Sequence, residues 1–268
     1  MSFEDTYYSF LFLWAIVALI VFIVLFYKDA PYGRHLKPEA SFTLPSRAGW
    51  IIMESPAVFG ILIFLYMFYQ TIGITETFLC CIWLLHYIHR TFIWPLRAKL
   101  RGKQMGVGVM SMALLFNVVN ITLQCIWIFI LGEYTDQWLI SPIFIVGIII
   151  FLLGMLINIK SDDILMNLRK SGGNGYHVPK GFFFKYVSSP NYFGEITLWA
   201  GLTLIALPVL SGWQLVTLIS PVFVYVLLTR ISGIPMLENR AIKKWGSDPE
   251  YVDYLERTPS LIMKKPKN

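Results

Sequence analysis

Several ionisable and amide side chains in this sequence fall inside stretches too apolar to carry them casually. Glu54 stands four residues into the apolar part of SRAGWIIMESPAVFG. In LLHYIHRTFIW, residues 84–94, Tyr87 and Arg90 join Trp83 and Trp94 at the spacing i, i+4, i+7 and i+11, which is one stripe of a helix. His86 and His89 make a neighbouring stripe. Asn158, Asp162, Leu165 and Arg169 repeat that pattern in GMLINIKSDDILMNLRK, and Asn191 and Glu195 are i, i+4 neighbours in SSPNYFGEITLWAG. Ionisable groups at membrane depth face a bundle interior or a wet cavity and mark ligand sites, ion paths or internal pairs. One shared polar pocket is the economical expectation. Lipid is the worst place to point any of these groups.

The elements that must position them are apolar helices. Of 268 residues, 56% are hydrophobic and 14% charged, with a mean hydropathy of +0.62; soluble domains carry about 25% charged residues. A bilayer core about 30 Å thick needs roughly 20 apolar residues per helix. The expected fold is an all-α integral membrane protein with seven transmembrane helices, at about 8–27, 50–70, 76–95, 108–131, 138–159, 192–209 and 214–230. These would form a single polytopic domain, 1–268, ending in a cytoplasmic segment, 231–268. Alternating ten-residue strands, which a barrel requires, are not seen.

Charge placement sets the orientation. Apart from Arg90, the Lys and Arg residues fall between the first and second expected helices, after the third, between the fifth and sixth, and from Arg230 onward. The positive-inside rule then puts the N-terminus outside and the C-terminus in the cytoplasm. A net charge of +6 so distributed reads as topology, not as a nucleic-acid surface. The basic loops are also the long ones, so the pocket is expected to open to the cytoplasm, from a bacterial inner membrane or the endoplasmic reticulum. Residues 1–27 lack a basic leader and a cleavage pattern, and read as a retained helix. Cys80, Cys81 and Cys125 all fall in expected spans and suggest neither a disulfide framework nor a metal site.

Each residue has a plainer reading. His86-x-x-His89 is half of a metal site without a third ligand, so no metal is expected. Asn158 and Asn191 could be interhelical glue, Asp162, Asp163 and Arg169 a solvated helix end, and Glu54 with Arg90 a structural ion pair. The glycine-rich SGGNGY, 171–176, lacks the spacing of a dinucleotide fingerprint, and no P-loop, GxSxG or HExxH occurs.

Taken together and in order, APYGRH (30–35), LPSRAGWIIMESP (44–56), LHYIHRTF (85–92), GMLINIKSDDILMNLRK (154–170) and KGFFFKYVSSPNYFGEITLW (180–199) resemble the steroid 5α-reductases, the 3-oxo-5α-steroid 4-dehydrogenases. That resemblance implies a seven-helix bundle with NADPH in a cytoplasmic-facing cavity, passing hydride to C5 of a Δ4-3-oxo steroid. Glu54 and Tyr87 would contact the C3 carbonyl. Burial among apolar groups disfavours a charged carboxyl, which would let Glu54 donate, as the tyrosine hydroxyl does. Tyr32, Arg90, Asn158, Asp162, Arg169, Asn191, Glu195 and, at the cytoplasmic end of the last helix, Arg230 would hold the cofactor, the guanidiniums matching its phosphates. The expected partners are a steroid or steroid-like lipid and membrane lipids.

Two departures stand out. Met53 replaces a glutamine that precedes the glutamate in an animal member, which bears on substrate preference. Residues 231–268 follow a wider family that includes other membrane reductases and isoprenylcysteine methyltransferases. A relative reducing another conjugated lipid, an enoyl thioester or polyprenol, is the alternative. A methyltransferase or a transporter fits less well: the first leaves the polar set on three helices without a task, and the second predicts inverted repeats.

Overall fold

A computed structural model describes residues 2–27, 42–168, 177–206, 219–231 and 234–261 of the chain. The chain divides into two compact units, Met1–Leu139 and Ile140–Asn268. Most of it is helical. Helical structure occupies each of the seven expected segments as far as they are described, and among the described residues four stretches are long and apolar enough to cross a membrane: Phe3–Val21, Ser46–Phe68, Val107–Leu131 and Pro142–Leu168.

In the first unit α1 spans Phe3–Tyr27. Its start is closed by a reciprocal pair, Ser2 N donating to Asp5 Oδ2 (2.9 Å) and Asp5 N to Ser2 Oγ (3.0 Å), which gives two otherwise orphaned amides a partner. A short strand, β1 (Thr43–Pro45), leads straight into α2 (Ser46–Phe68). The next helix, α3 (Ile74–Ile88), widens into a π turn, His89–Ile93, and ends in a last α turn, Trp94–Arg97. Strand β2 (Gln104–Gly106) pairs antiparallel with β1 and feeds α4 (Val107–Ile126), itself extended by a π turn, Trp127–Leu131. The β1–β2 pair is a departure from the all-α expectation. Three residues a side are too few for sequence alternation to register, and the pairing ties the starts of α2 and α4 together.

Helices α2, α3 and α4 share one apolar core: Ala57, Val58 and Ile61 meet Trp83 and Tyr87 and, from α4, Ile121 and Cys125. Gly60 permits the contact, because a Cβ there would lie 2.8 Å from Ile121. Tyr7 ties α1 in, its buried hydroxyl donating to Leu123 O at 3.2 Å. The outward faces carry Phe12, Leu13, Leu19 and Ile20 on α1 and Ile63 and Met67 on α2, all exposed. In water such a surface would aggregate; hydrocarbon is its natural solvent.

The second unit is organised by two antiparallel helices, α5 (Pro142–Leu168) and α6 (Pro190–Ala206). Gly147 and Gly154 on α5 face Gly201 and Gly194 on α6. A Cβ on Gly154 would strike Leu198 N, one on Gly194 would strike Asn158 N, and one on Gly201 would strike Phe151 N. Glycine every seventh residue thus lets the two backbones touch, the close packing that drives helix association where no water can be expelled. Ser161 continues the seven-residue series on α5 and is fully buried. Beyond α7 (Ile219–Val226, with a π turn Leu227–Ile231) come α8 (Ile234–Trp245) and α9 (Pro249–Arg257). The described part of 231–268, expected only as a cytoplasmic segment, therefore holds two helices. Asp248 starts the second, its Oδ1 accepting from Glu250 N at 2.9 Å, with Pro249 at the first helical position where its missing N–H costs nothing.

Gly154→Val should lower the thermal midpoint of the detergent-solubilised protein sharply, since a clash with backbone exceeds the usual overpacking cost of about 1–3 kcal/mol. Gly108→Ala, where nothing lies within 4 Å of the added Cβ, should leave the midpoint unchanged.

Candidate functional site

Around Glu54 the helices are broken by proline and mended by side chains. Pro56 lies inside α2 and has no N–H for the carbonyl of Ile52; the hydroxyl of Ser55 donates to that carbonyl instead, at 2.9 Å. The neighbouring carbonyls are taken up by other helices. Asn117 Nδ2, on α4, donates to Met53 O at 2.7 Å, and Thr91 Oγ1 donates to Glu54 O at 3.4 Å. Asn117 and Thr91 are both buried. Proline in a membrane helix is tolerated where such groups re-satisfy the backbone.

The π turn has the same origin. Trp94 N–H reaches back five residues to His89 O. The equivalent donor for Arg90 O would be residue 95, a proline. Trp50 Nε1 supplies it, donating to Arg90 O at 3.0 Å, and Arg47 Nε donates to Pro95 O at 3.0 Å. π turns occur often at functional positions, and this one sets the direction of Arg90. The guanidinium lies over the Trp50 ring at 5.3 Å, and its Nε meets Glu54 Oε1 at 3.3 Å. Glu54 is almost fully enclosed, with its side chain 7% exposed, whereas that of Arg90 is 36% exposed. The ion pair open among the sequence readings is therefore formed, and one end of it faces outward. Taking away one member of a fully buried pair costs about 3–5 kcal/mol; the exposed guanidinium places this pair below that.

Tyr87 is buried a turn deeper, stacked on Trp83 with ring centroids 4.5 Å apart and edge-on to His86 at 4.9 Å. Trp83 Nε1 donates to Ala57 O at 2.8 Å, which pins this aromatic stack to α2 in the turn that follows Glu54. Among the described residues no group of three His, Cys, Asp or Glu side chains is gathered that could hold a metal ion.

In the second unit four of the expected residues form one network across α5 and α6. Asn158 Nδ2 donates to Asn191 O (3.0 Å) and to Glu195 Oε2 (3.2 Å). Asn191 Nδ2 donates to Asp162 Oδ1 at 3.2 Å, and Trp199 Nε1 donates to Glu195 Oε1 at 3.2 Å. Glu195 is buried and the two asparagines and Asp162 half-buried. Amides and carboxylates of this kind are a donor and acceptor set suited to an amide group and to ribose hydroxyls, the chemistry that holding a dinucleotide would need. Arg230 is exposed in the π turn after α7. Tyr32 and Arg169, and the segment 171–176, lie outside the described residues.

Six contributors were not singled out from the sequence: Arg47, Trp50, Ser55, Thr91, Asn117 and Trp199. Trp50 precedes Glu54 by four residues and Trp199 follows Glu195 by four, so helical spacing could have found both. Nothing local marks Asn117, which lies 64 residues from the carbonyl it serves.

Asn117→Ala should remove the interhelical bond to Met53 O. The expected loss is about 1 kcal/mol of stability, read as a lower unfolding midpoint.

The sequence model described as 3-oxo-5-alpha-steroid 4-dehydrogenase matches residues 103–229. Over 252 residues, 92% of each chain, the protein is 34% identical to a steroid 5-alpha-reductase of Gossypium hirsutum. It is 37% identical to 3-oxo-5-alpha-steroid 4-dehydrogenase 1 of Homo sapiens over 179 residues, 66% of this chain and 68% of that one. The corresponding protein of Bos taurus is 34% identical over 207 residues, 74% and 77% of the two chains. With helices apolar enough for a membrane and similarity along nearly its whole length, the chain belongs to the 3-oxo-5-alpha-steroid 4-dehydrogenase family of oxidoreductases.

Proposed function

We propose that this protein is a multi-pass membrane enzyme that uses NADPH to reduce the C4=C5 double bond of Δ4-3-oxo steroids, giving 5α-3-oxo steroids. The observation that carries this reading is the enclosed Glu54, held 3.3 Å from Arg90 beside a proline-broken, side-chain-mended stretch of α2. An acid kept there at such structural expense has a chemical task. The reading includes seven spans in one bundle, the N-terminus outside, and a site open to the cytoplasm, supported by the one-sided basic loops.

When bound, NADPH would supply a hydride to C5 of the steroid, and a proton taken up at C4 would complete the saturation. Addition at C5 drives negative charge onto the C3 oxygen, and preorganised donors at such an oxygen contribute the largest share of many rate enhancements. Tyr87 Oη would donate to it. Glu54 would be the second group to meet it. Arg90 presents its exposed side outward, so it can turn to a phosphate and release the acid. Asn158, Asp162, Asn191 and Glu195 would hold amide and ribose groups, while Tyr32, Arg169 and Arg230 complete the set carried over from the family.

Purified protein in detergent should oxidise NADPH when given progesterone or testosterone and yield the 5α product; absence of any steroid product across lipid conditions would defeat the assignment. Glu54→Gln and Tyr87→Phe should each lower kcat by about 10²–10³, as loss of one such donor does elsewhere, with little change in the KM for NADPH. Arg169→Ala should raise the KM for NADPH and leave that for NADH unchanged; equal losses would count against recognition of the 2′-phosphate.

A further inference from the structure

Residues 249–261 lie along residues 180–189, the stretch that leads into α6. Gly181, at φ +81°, and Phe182, at φ 47°, turn the chain into a short 3₁₀ segment, Phe182–Lys185. The C-terminal chain then meets the residues that follow. Ser188 N donates to Pro259 O at 2.9 Å and Ser189 N to Ser260 O at 3.2 Å. Tyr254 Oη donates to Phe184 O at 3.4 Å, and Lys180 Nζ lies 3.7 Å from Glu250 Oε1. That last pair is exposed and contributes little. Burial adds to these contacts: Val187, Phe184 and Thr258 are enclosed, and so is Tyr251, with its ring centroid 6.4 Å from that of Trp245 on α8. Burial and nearby Glu238 push the Tyr251 phenol above its ordinary range, as expected of a ring seated in an apolar contact.

The location of these contacts gives them consequence. Ser188 and Ser189 immediately precede Pro190, the first residue of α6, where helix amides have no intrahelical acceptor and ends fray. The glycine seam holds α6 only as far as Gly194. Asn191 lies one turn beyond it, yet gives its carbonyl to Asn158 and its amide to Asp162. Something outside the seam must fix that first turn.

We propose that Pro249–Leu261 is a strap that holds the first turn of α6 in place and thereby positions Asn191 for cofactor binding, with Tyr251 as its anchor. The link to affinity rests on the cofactor reading given above; the strap itself does not.

The test compares Tyr251→Ala and Tyr251→Phe with the parent protein, in detergent at full length. Amide hydrogen exchange is followed in peptides covering 186–194, and steady-state kinetics in NADPH and in steroid. Tyr251→Ala should speed exchange there and raise the KM for NADPH about tenfold, equivalent to about 1.4 kcal/mol, with kcat and the steroid KM within about twofold of the parent. Tyr251→Phe, which keeps the ring, should behave as the parent. Should Tyr251→Ala fail to accumulate, a chain ended after Thr258 loses the two acceptor carbonyls while keeping the anchor, and the same changes are expected. Unaltered exchange at 186–194 would overturn the strap. Parallel losses in kcat and both KM values would reduce it to general packing. If the parent turns over no steroid with NADPH, the cofactor reading fails and the exchange measurement alone decides the strap.

Discussion

Away from water a peptide carbonyl that loses its helical donor must find another, and the neighbourhood of Glu54 is built around that requirement. Pro56 and Pro95 each withhold an N–H from a helix in an apolar setting. The replacements are Ser55 for Ile52 O and Trp50 for Arg90 O. Asn117 and Thr91 add bonds to the adjacent carbonyls of Met53 and Glu54. An unmet carbonyl buried there would cost about 1–3 kcal/mol, so each repair also fixes a helix in register. The broken backbone is thus what aims the acid and the guanidinium at one another.

In the second unit a different constraint has the same effect. Four glycines bring two backbones into contact, and the helix faces beside that seam carry Asn158, Asp162, Asn191 and Glu195. Because the seam leaves no room for adjustment, Asn158 and Glu195, whose backbones lie against it, are presented at fixed separations. A longer residue at any seam position would push the helices apart and stretch the bonds of 3.0–3.2 Å that join the network. Rigidity at the seam and polarity beside it are the two halves of one design.

Much of this was legible in order of sequence. Apolar runs announced the helices, and i, i+4 spacing put Asn158 with Asp162 and Asn191 with Glu195 on their respective faces. The seven-residue recurrence of Gly147 and Gly154, and of Gly194 and Gly201, was equally visible but went unread, because glycine alone says nothing of what approaches it. Asp248–Pro249 marks a helix start, yet the low apolar content around it hid α8 and α9 within an expected tail. The β1–β2 pair and the π turns left no periodic trace: each is too short to repeat its period twice.

By itself, the sequence determined which residues are apolar enough for lipid, which connecting segments are basic, and which polar groups share a helical face, since all three depend on local spacing. Tertiary structure alone decided that Arg90 meets Glu54, 36 residues away, and that Asn117 mends α2. It also decided that the C-terminal chain seats on the start of α6. Such pairings depend on which surfaces close against each other, and shape complementarity between distant segments has no signature in either segment alone.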